Sequence, residues 1–227
     1  MPLFSTLDLV ALAWFLLAWA AYSITLSLTE QRRRGLNSEM HGFRDVWMQQ
    51  MLGRELRMVD AQIVAALQNG TAFFASTSLI AIGGALTLLR SSDAILEVIA
   101  SLPFGIRMTP VQWEAKTIGL AVIFVYAFFK FAWSYRLYNY VAILVGATPP
   151  AKEKDTPQAK AHAERVGGLC EVAGRHFNRG QRAFFFALGY LGWFISPWLL
   201  MVSSVAVAVV LWRRQFASDS RRAVLSE

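Results

Sequence analysis

Four long apolar stretches constrain this chain more strongly than any other feature of its sequence. A helix needs about 20 predominantly apolar residues to cross the hydrocarbon core of a bilayer, which is about 30 Å thick. Stretches of sufficient length lie at about residues 7–28, 63–89, 117–145 and 184–211. A fifth run, at 95–106, is too short to cross and contains Pro103 and Gly105, which favours an interfacial or re-entrant segment. We therefore predict an all-α, multi-pass helical membrane protein with four transmembrane helices in a single domain, residues 1–227.

The composition agrees with a membrane location. Hydrophobic residues make up 56% of the chain and charged residues 16%, whereas a typical soluble domain has roughly 45–50% apolar and about 25% charged residues. These proportions argue against an ordinary soluble enzyme and against a disordered chain. The net charge is +7, but the basic residues cluster at the ends of the predicted spans without a recognition motif. We therefore expect no nucleic-acid partner.

The distribution of Lys and Arg predicts the orientation of the chain in the membrane. Basic residues concentrate after the first and third spans, and the segment before the first span contains none. We therefore expect loops 29–62 and 146–182 to be cytoplasmic, both termini to lie outside, and the protein to reside in a bacterial inner membrane. The C-terminal tail opposes this orientation, because Arg213 and Arg214 would then lie outside. A missed or half-inserted segment would resolve the conflict.

The two basic loops are predicted to be structured. Residues 44–68 contain no proline and have apolar residues at a period near 3.6, which predicts a long amphipathic helix that continues into the second span. Gly53 should weaken this helix by only about 1 kcal/mol. Residues 146–157 are rich in proline and charge and form a predicted linker, followed by a second, short amphipathic helix that Gly167–Gly168 would break. In the fourth span, Pro197 is expected to kink the helix.

Two cations inside the third span are the most informative feature for function, because an ionisable residue in a span is a functional-site hypothesis by default. Lys130 and Arg136 lie about 9 Å apart along the helix. In one interpretation the span exceeds the hydrocarbon core, so Arg136 lies at the interface and Lys130 snorkels towards it. In the other, both face the protein interior on different helix faces. No acidic residue lies deep in a span, which leaves water, backbone carbonyls or an anion as partners of Lys130.

The second interpretation nominates residues for a ligand or anion site: Lys130, Arg136, Asn139 and Asp60. Asp60 is the nearest plausible mate of Arg136, although it could instead serve Arg175 or Arg179. Basic residues at cytoplasmic span ends attract anionic lipid by about 1 kcal/mol each. Candidates for lipid-headgroup binding or for structural ion pairs are Arg57, Arg175, Arg179 and Arg182.

No catalytic or metal-binding constellation is recognisable in the sequence. The motifs GxSxG, HExxH and GxxxxGK[ST] are absent, the three histidines lack ligand spacing, and Cys170 is the single cysteine. We therefore predict no catalytic residue, no metal and no cofactor. An enzyme acting on lipid headgroups would have only Asp60 and His176 as an acid–base pair.

Several segments together resemble a known family. They are RMVDAQ at 57–62, FFAST at 73–77, FFKFAWS at 128–134 and FNRG at 177–180. The chain resembles, from about residue 55 to 218, the bacterial and plant membrane family called domain of unknown function 599. The resemblance implies a multi-pass protein without an assigned activity. It also implies that certain charged residues belong to family motifs: Lys130, Arg136, Asp60 and Arg179.

Two functions remain open from the sequence. The first is an oligomeric channel or transport-related protein whose cationic interior favours anions. The alternative is a non-transporting scaffold or accessory subunit that binds a partner protein or anionic lipid. The expected partners are the lipid bilayer, anionic phospholipid, and a second copy of the chain or another membrane protein. Small residues in the second and fourth spans predict close helix packing, within the protein or between copies.

Overall fold

A computed structural model describes residues 3–31, 35–90, 96–97 and 108–225 of the chain. In this part of the chain the secondary structure is helical, with no strand. The α-helices are α1 (Thr6–Gln31), α2 (Leu36–Leu52), α3 (Met58–Arg90), α4 (Pro110–Gly146), α5 (Pro157–Tyr190), α6 (Pro197–Phe216) and α7 (Asp219–Leu225). The all-α prediction is therefore confirmed. The short apolar run at 95–106 lies outside the described residues, apart from residues 96 and 97.

Four helices are long and apolar enough to cross a membrane. They are α1 over Thr6–Thr29, the whole of α3, the whole of α4, and α6. Their outer faces carry large apolar side chains, such as Leu17, Ile80 and Phe129, that are more than 60% exposed. Apolar surface on this scale is typical of helices that face lipid. The chain is thus a multi-pass helical membrane protein, as the sequence predicts.

The predicted fourth span is wrong in its extent, because residues 184–211 do not form one helix. The first part of that stretch is the end of α5, after which a 3₁₀ turn, Leu191–Phe194, leads to α6. Ser196 caps α6 by accepting a hydrogen bond from the backbone N–H of Leu199 at 3.1 Å. Pro197 occupies the first turn, where its missing N–H would have no intrahelical partner. Pro197 therefore begins a helix rather than kinking one.

Helix α5 runs antiparallel to α4 along its whole length. At one end, Lys116 Nζ donates to the Trp193 carbonyl at 2.8 Å, and in the middle Ser134 Oγ donates to the Ala173 carbonyl at 2.8 Å. At the other end, His162 Nε2 lies 2.9 Å from the carbonyl oxygen of Leu144. The expected break at Gly167–Gly168 is wrong, because α5 is continuous through both glycines. Its second half enters the bundle beside α1, α4 and α6.

This return of α5 puts the two termini at opposite ends of the bundle. Asp8, Lys116 and Trp193 meet at what we call the Asp8 end. Gln215, at the end of α6, lies against Gly35 at the start of α2. We call this second end, which also contains Arg182 and Arg214, the Arg-rich end. This arrangement contradicts the expectation that both termini lie on one side. The sequence prediction missed the return of the second half of α5 through the bundle.

Two buried clusters hold the helices together. The first lies within the bundle and is rich in aromatic residues, including Phe15, Phe186 and Tyr190. The second lies beyond the Arg-rich end and contains smaller side chains such as Met48, Val141 and Cys170. Helix α4 reaches both clusters because its 37 residues extend about 55 Å, well beyond the hydrocarbon core. We call the second cluster and the parts of α2, α3, α4 and α5 around it the juxtamembrane lobe.

Helix α2 does not continue into α3, contrary to the single helix predicted over 44–68. Helix α2 ends at Gly53, whose backbone N–H bonds to the Gln50 carbonyl, while the N–H of Arg54 bonds to the Met51 carbonyl. The chain then turns, and α3 begins at Met58. The break lets α2 fold against α5 and bury Met48, Met51 and Leu52. Tertiary packing therefore overrides the continuous periodicity of the sequence.

Candidate functional site

The two cations of the third predicted span have different surroundings on α4. Lys130 Nζ lies 5.1 Å from the ring centroid of Tyr126 and is half-buried. Arg136 is exposed, and its Nε donates a hydrogen bond to the Tyr140 hydroxyl at 2.8 Å. Its guanidinium also lies 5.9 Å from the Trp133 ring centroid. The two side chains therefore do not converge on one ligand position.

Asp60 is fully buried in the juxtamembrane lobe. Its Oδ1 accepts a hydrogen bond from Trp47 Nε1 at 2.7 Å and another from Arg54 Nη1. Its Oδ2 is buried without a hydrogen-bond partner among the described residues. The ion-pair partner of Asp60 is thus Arg54, and not one of the residues considered from the sequence: Arg136, Arg175 or Arg179.

Asn139 and Arg57 also serve as structural links. Asn139 Oδ1 accepts a hydrogen bond from Gln68 Nε2 at 2.6 Å, which joins α4 to α3. Arg57 Nη2 donates to the carbonyl of Pro149 at 2.6 Å and so anchors the connection between α4 and α5. The candidate anion residues Lys130, Arg136, Asn139 and Asp60 are therefore not brought together.

The Asp8 end carries a buried polar cluster that sequence reasoning missed. Lys116 is 5% exposed, and its Nζ lies 2.8 Å from the Trp193 carbonyl and 3.7 Å from Asp8 Oδ1. Trp193 Nε1 donates to the same Asp8 oxygen at 2.9 Å. These bonds join α1, α4 and the turn after α5. Asp8 and Lys116 lie near the starts of two predicted spans. The sequence could not show that these two starts are neighbours, because the return of α5 brings Trp193 between them.

A lateral groove opens between α1 and α4, and we call it the α1–α4 groove. Its part near the Asp8 end is a cavity of about 470 Å³ with apolar walls that include Leu12, Leu16 and Val122. Trp19 and Tyr126 line this part and also the next one, and their ring centroids are 6.0 Å apart. The two parts of the groove therefore adjoin at the contact between Trp19 and Tyr126.

The second part of the α1–α4 groove is polar and cationic. It has a volume of about 350 Å³, and its walls include Ser23, Ser27, Arg179 and Arg182. Arg179 is exposed and makes no hydrogen bond or ion pair with any described residue. The groove thus changes along its length from an apolar surface to one that attracts anions.

A second cavity, the end cavity, lies at the Arg-rich end where α1, α2, α5 and α6 meet. It has a volume of about 160 Å³, and its polar walls are formed by Asn37, Asn178, Gln181, Arg182, Arg214 and Gln215. A smaller cleft of about 80 Å³ adjoins it between α2 and α5 and shares Asn37 and Asn178. In this cleft Arg175 forms an ion pair with Glu171, which also lies 3.0 Å from His41 Nε2. Three of the predicted lipid-headgroup residues, Arg175, Arg179 and Arg182, therefore gather at the Arg-rich end.

The acid–base pair considered from the sequence, Asp60 and His176, is not brought together. Asp60 is bound by Trp47 and Arg54, whereas the ring of His176 packs against Trp133 with centroids 6.4 Å apart. Burial raises the pKa of the Cys170 thiol, although the positive charge of Arg44 opposes this effect. A neutral buried thiol is a poor nucleophile. In the part of the chain that the structure describes, no group of three potential metal-ligating side chains occurs.

The comparisons with known proteins place the chain in a family. No curated protein and no solved structure matches it significantly. One family matches over residues 10–220, which includes most of α1 and the whole of α3, α4 and α6. The chain belongs to DUF599, a family of proteins of unknown function.

Proposed function

We propose that the protein binds an anionic phospholipid in the α1–α4 groove, with an acyl chain in the apolar part and the phosphate in the cationic part. The proposal rests on one observation, the apolar cavity and the cationic cavity that adjoin each other between two membrane-spanning helices. This function corresponds to the non-transporting scaffold or accessory subunit. Its location would be the inner membrane, with the Arg-rich end in the cytoplasm, as the positive-inside rule favours.

The dimensions of the groove support a lipid. Along α1, Ser27 lies about 28 Å from Asp8, which is close to the thickness of the hydrocarbon core. The cationic part therefore lies at the level of the headgroups when the Asp8 end lies at the opposite interface. The apolar part extends along α4 by about 17 Å, from Tyr126 to Ala115. One leaflet contributes about 15 Å of acyl chain, so the apolar part is long enough.

The charges also support an anionic headgroup. Arg179 has a free guanidinium within the described structure, and Arg182 lines the same part of the groove. The Lys130 ammonium lies beside Tyr126, which belongs to the groove wall. Positive charge also accumulates on this side of α5, because His176 experiences the charges of Lys130, Arg175 and Arg179. Among the described residues that line the cationic part, none is acidic.

The proposal is tested by reconstituting the protein in nanodiscs that contain equal parts phosphatidylglycerol and phosphatidylcholine, then measuring the retained lipids by native mass spectrometry. We expect the wild type to be enriched in phosphatidylglycerol. Arg179→Gln should reduce the enrichment about fivefold, as expected for loss of one cation near the surface. Val122→Trp should also reduce lipid retention, because Val122 is exposed and lines the apolar part.

A matched control is Arg165→Gln, because Arg165 is an exposed arginine on the same helix, about 21 Å further from the groove. It should retain the enrichment of the wild type. Equal retention of both lipids by the wild type would refute the proposal. Identical loss in Arg165→Gln and Arg179→Gln would refute the assigned site.

Transport remains a second candidate because Lys130 has an aromatic contact but no ion pair in the described structure. The test is chloride efflux from liposomes containing the wild type or Lys130→Ala. Flux that depends on Lys130 would support a transport role, and silence of both proteins would dismiss it.

A further inference from the structure

The end cavity is built for an anion and is distinct from the apolar part of the α1–α4 groove. Its volume of about 160 Å³ is at least ten times the ~10–15 Å³ that one water molecule requires. This space accommodates a phosphate group. Its walls come from α1, α2, α5 and α6, so the cavity exists only because α5 returns through the bundle and brings α6 back to the Arg-rich end.

The walls of the cavity carry two positively charged side chains. Arg182 and Arg214 line it, and the Arg214 guanidinium lies 5.7 Å from the ring centroid of Phe185. None of the described residues that line the cavity is acidic. The nearest carboxylate in the adjoining cleft, Glu171, is already engaged by His41 and Arg175. Two guanidiniums without a lining carboxylate favour a ligand with negative charge.

The start of α2 adds to this potential. Leu36 and Asn37 form its first turn and line the cavity. The N-cap residue, Gly35, provides no side-chain hydrogen bond to the helix. The N-terminus of a helix carries about half a positive charge and unpaired backbone N–H groups, which together attract anions.

Gln215 supplies a second, independent observation that points to a ligand. Its side chain is 9% exposed, and its Nε2 has no hydrogen-bond partner in the described part of the chain. Gly35 lies so close to this nitrogen that a Cβ at position 35 would be only 2.6 Å from it. A buried amide donor without an acceptor costs about 1–3 kcal/mol. An anion in the cavity would accept this hydrogen bond.

We propose that the end cavity is a phosphate-binding site. The Arg182 and Arg214 guanidiniums neutralise the phosphate, the Gln215 amide donates a hydrogen bond, and the start of α2 stabilises its negative charge. The phosphate belongs to a lipid headgroup or to a soluble molecule that enters from the Arg-rich end. This site goes beyond the proposed lipid groove. Arg182 lines both the end cavity and the cationic part of the α1–α4 groove. Arg214 and Gln215 line the end cavity but not the groove, and Arg179 lines the groove but not the end cavity.

The experiment uses the full chain in nanodiscs of neutral phosphatidylcholine, with inorganic phosphate and pyrophosphate titrated by calorimetry at constant ionic strength. A second arm measures enrichment of phosphatidylglycerol in mixed nanodiscs. For a soluble source we expect phosphate or pyrophosphate binding that weakens about tenfold in Arg214→Gln and in Gln215→Leu, but is unchanged in Arg179→Gln. For a lipid source we expect no calorimetric signal. Arg179→Gln should then retain part of the phosphatidylglycerol enrichment, and combining it with Arg214→Gln or with Gln215→Leu should reduce that remaining part.

The matched control is Arg213→Gln, because Arg213 is exposed, adjacent to Arg214 and absent from the cavity walls. Binding should be unchanged in this variant. Arg214 is exposed as well, so its replacement is not expected to prevent folding, and thermal unfolding of each variant verifies this. The proposal is overturned when neither arm depends on Arg214 or Gln215. If Arg179→Gln is the only variant that loses enrichment, the lipid site in the groove is supported and the phosphate site in the end cavity is refuted.

Discussion

At the scale of single residues, charged side chains in this protein divide into those that hold helices together and those that face cavities. Asp60 and Lys116 are buried and bonded to neighbouring elements. Arg179 and Arg214 are exposed in or beside cavities, without an ion pair in the described structure. The sequence shows all four as charges near span ends. It could not distinguish the two groups, because the distinction depends on which helices become neighbours.

Asp60→Ala should destabilise the protein, because it removes the acceptor for Trp47 and the charge that pairs with Arg54. Arg54 is about one-third exposed, and solvent can compensate part of its loss. We expect a decrease of about 2 kcal/mol in the free energy of unfolding, measured by chemical denaturation in detergent.

The control for Asp60 is Asp155→Ala, in which an exposed carboxylate of the connection before α5 is removed. This change should stay within about 0.5 kcal/mol of the wild type. Similar effects of the two substitutions would contradict the structural role of Asp60.

At the scale of elements, sequence reasoning succeeded where a helix faces lipid and failed where a helix faces other helices. Helices α1, α3 and α4 have long uninterrupted apolar runs, and their predicted and observed positions agree. Helix α5 contains Arg175, Arg179 and Arg182, so its sequence resembles a surface helix. Its second half enters the bundle because residues such as Phe186 pack against α1 and its glycines allow close approach.

The glycines of the predicted spans also differ in a way that sequence spacing could not reveal. Gly83 and Gly84 in α3 have open space where a Cβ would lie. Gly189 and Gly192 lie against α6, where a Cβ would be within 3.2 Å of neighbouring atoms. Close packing by small residues is therefore an internal feature at the turn between α5 and α6. Association between copies of the chain stays a prediction.

Gly180→Ala tests the close approach of α5 and α4. A Cβ at position 180 would lie 2.7 Å from the ring of Phe131, which is fully buried and cannot move without disturbing the core. We expect a loss of about 1–3 kcal/mol in the free energy of unfolding. The measurement is thermal unfolding in detergent followed by tryptophan fluorescence.

Gly168→Ala is the matched control for Gly180→Ala, because position 168 lies on the same helix with open space around it. Alanine favours a helix over glycine by about 0.5–1 kcal/mol. This variant should therefore be as stable as the wild type or more stable. Equal destabilisation by both substitutions would show that α5 does not pack on α4 as described.

At the scale of the whole molecule, the return of α5 reconciles the distribution of basic residues with the fold. The C-terminal residues Arg213 and Arg214 share one end of the bundle with Gly35 and Arg182. The basic tail that opposed the predicted orientation therefore lies at the same end as the basic loops. With that end in the cytoplasm, the start of the chain lies outside and its end inside.

This orientation is tested with single cysteines in a Cys170→Ala background. Leu3→Cys and Ala217→Cys place exposed thiols at opposite ends of the bundle. A membrane-impermeant maleimide should label position 3 in intact cells and position 217 only after permeabilisation. Labelling of both positions from the same side would contradict the fold.

The central claim is that an anionic phospholipid occupies the α1–α4 groove. The most direct measurement is photo-crosslinking with phosphatidylglycerol that carries a photoreactive group near the headgroup, followed by mass spectrometry of the labelled peptides. We predict labelling concentrated on the α1 peptide that contains Ser23 and Ser27 and on the α5 peptide that contains Arg179, with competition by unlabelled phosphatidylglycerol but not phosphatidylcholine. Labelling spread evenly over the exposed faces of α1, α3 and α6, without competition, would contradict the claim.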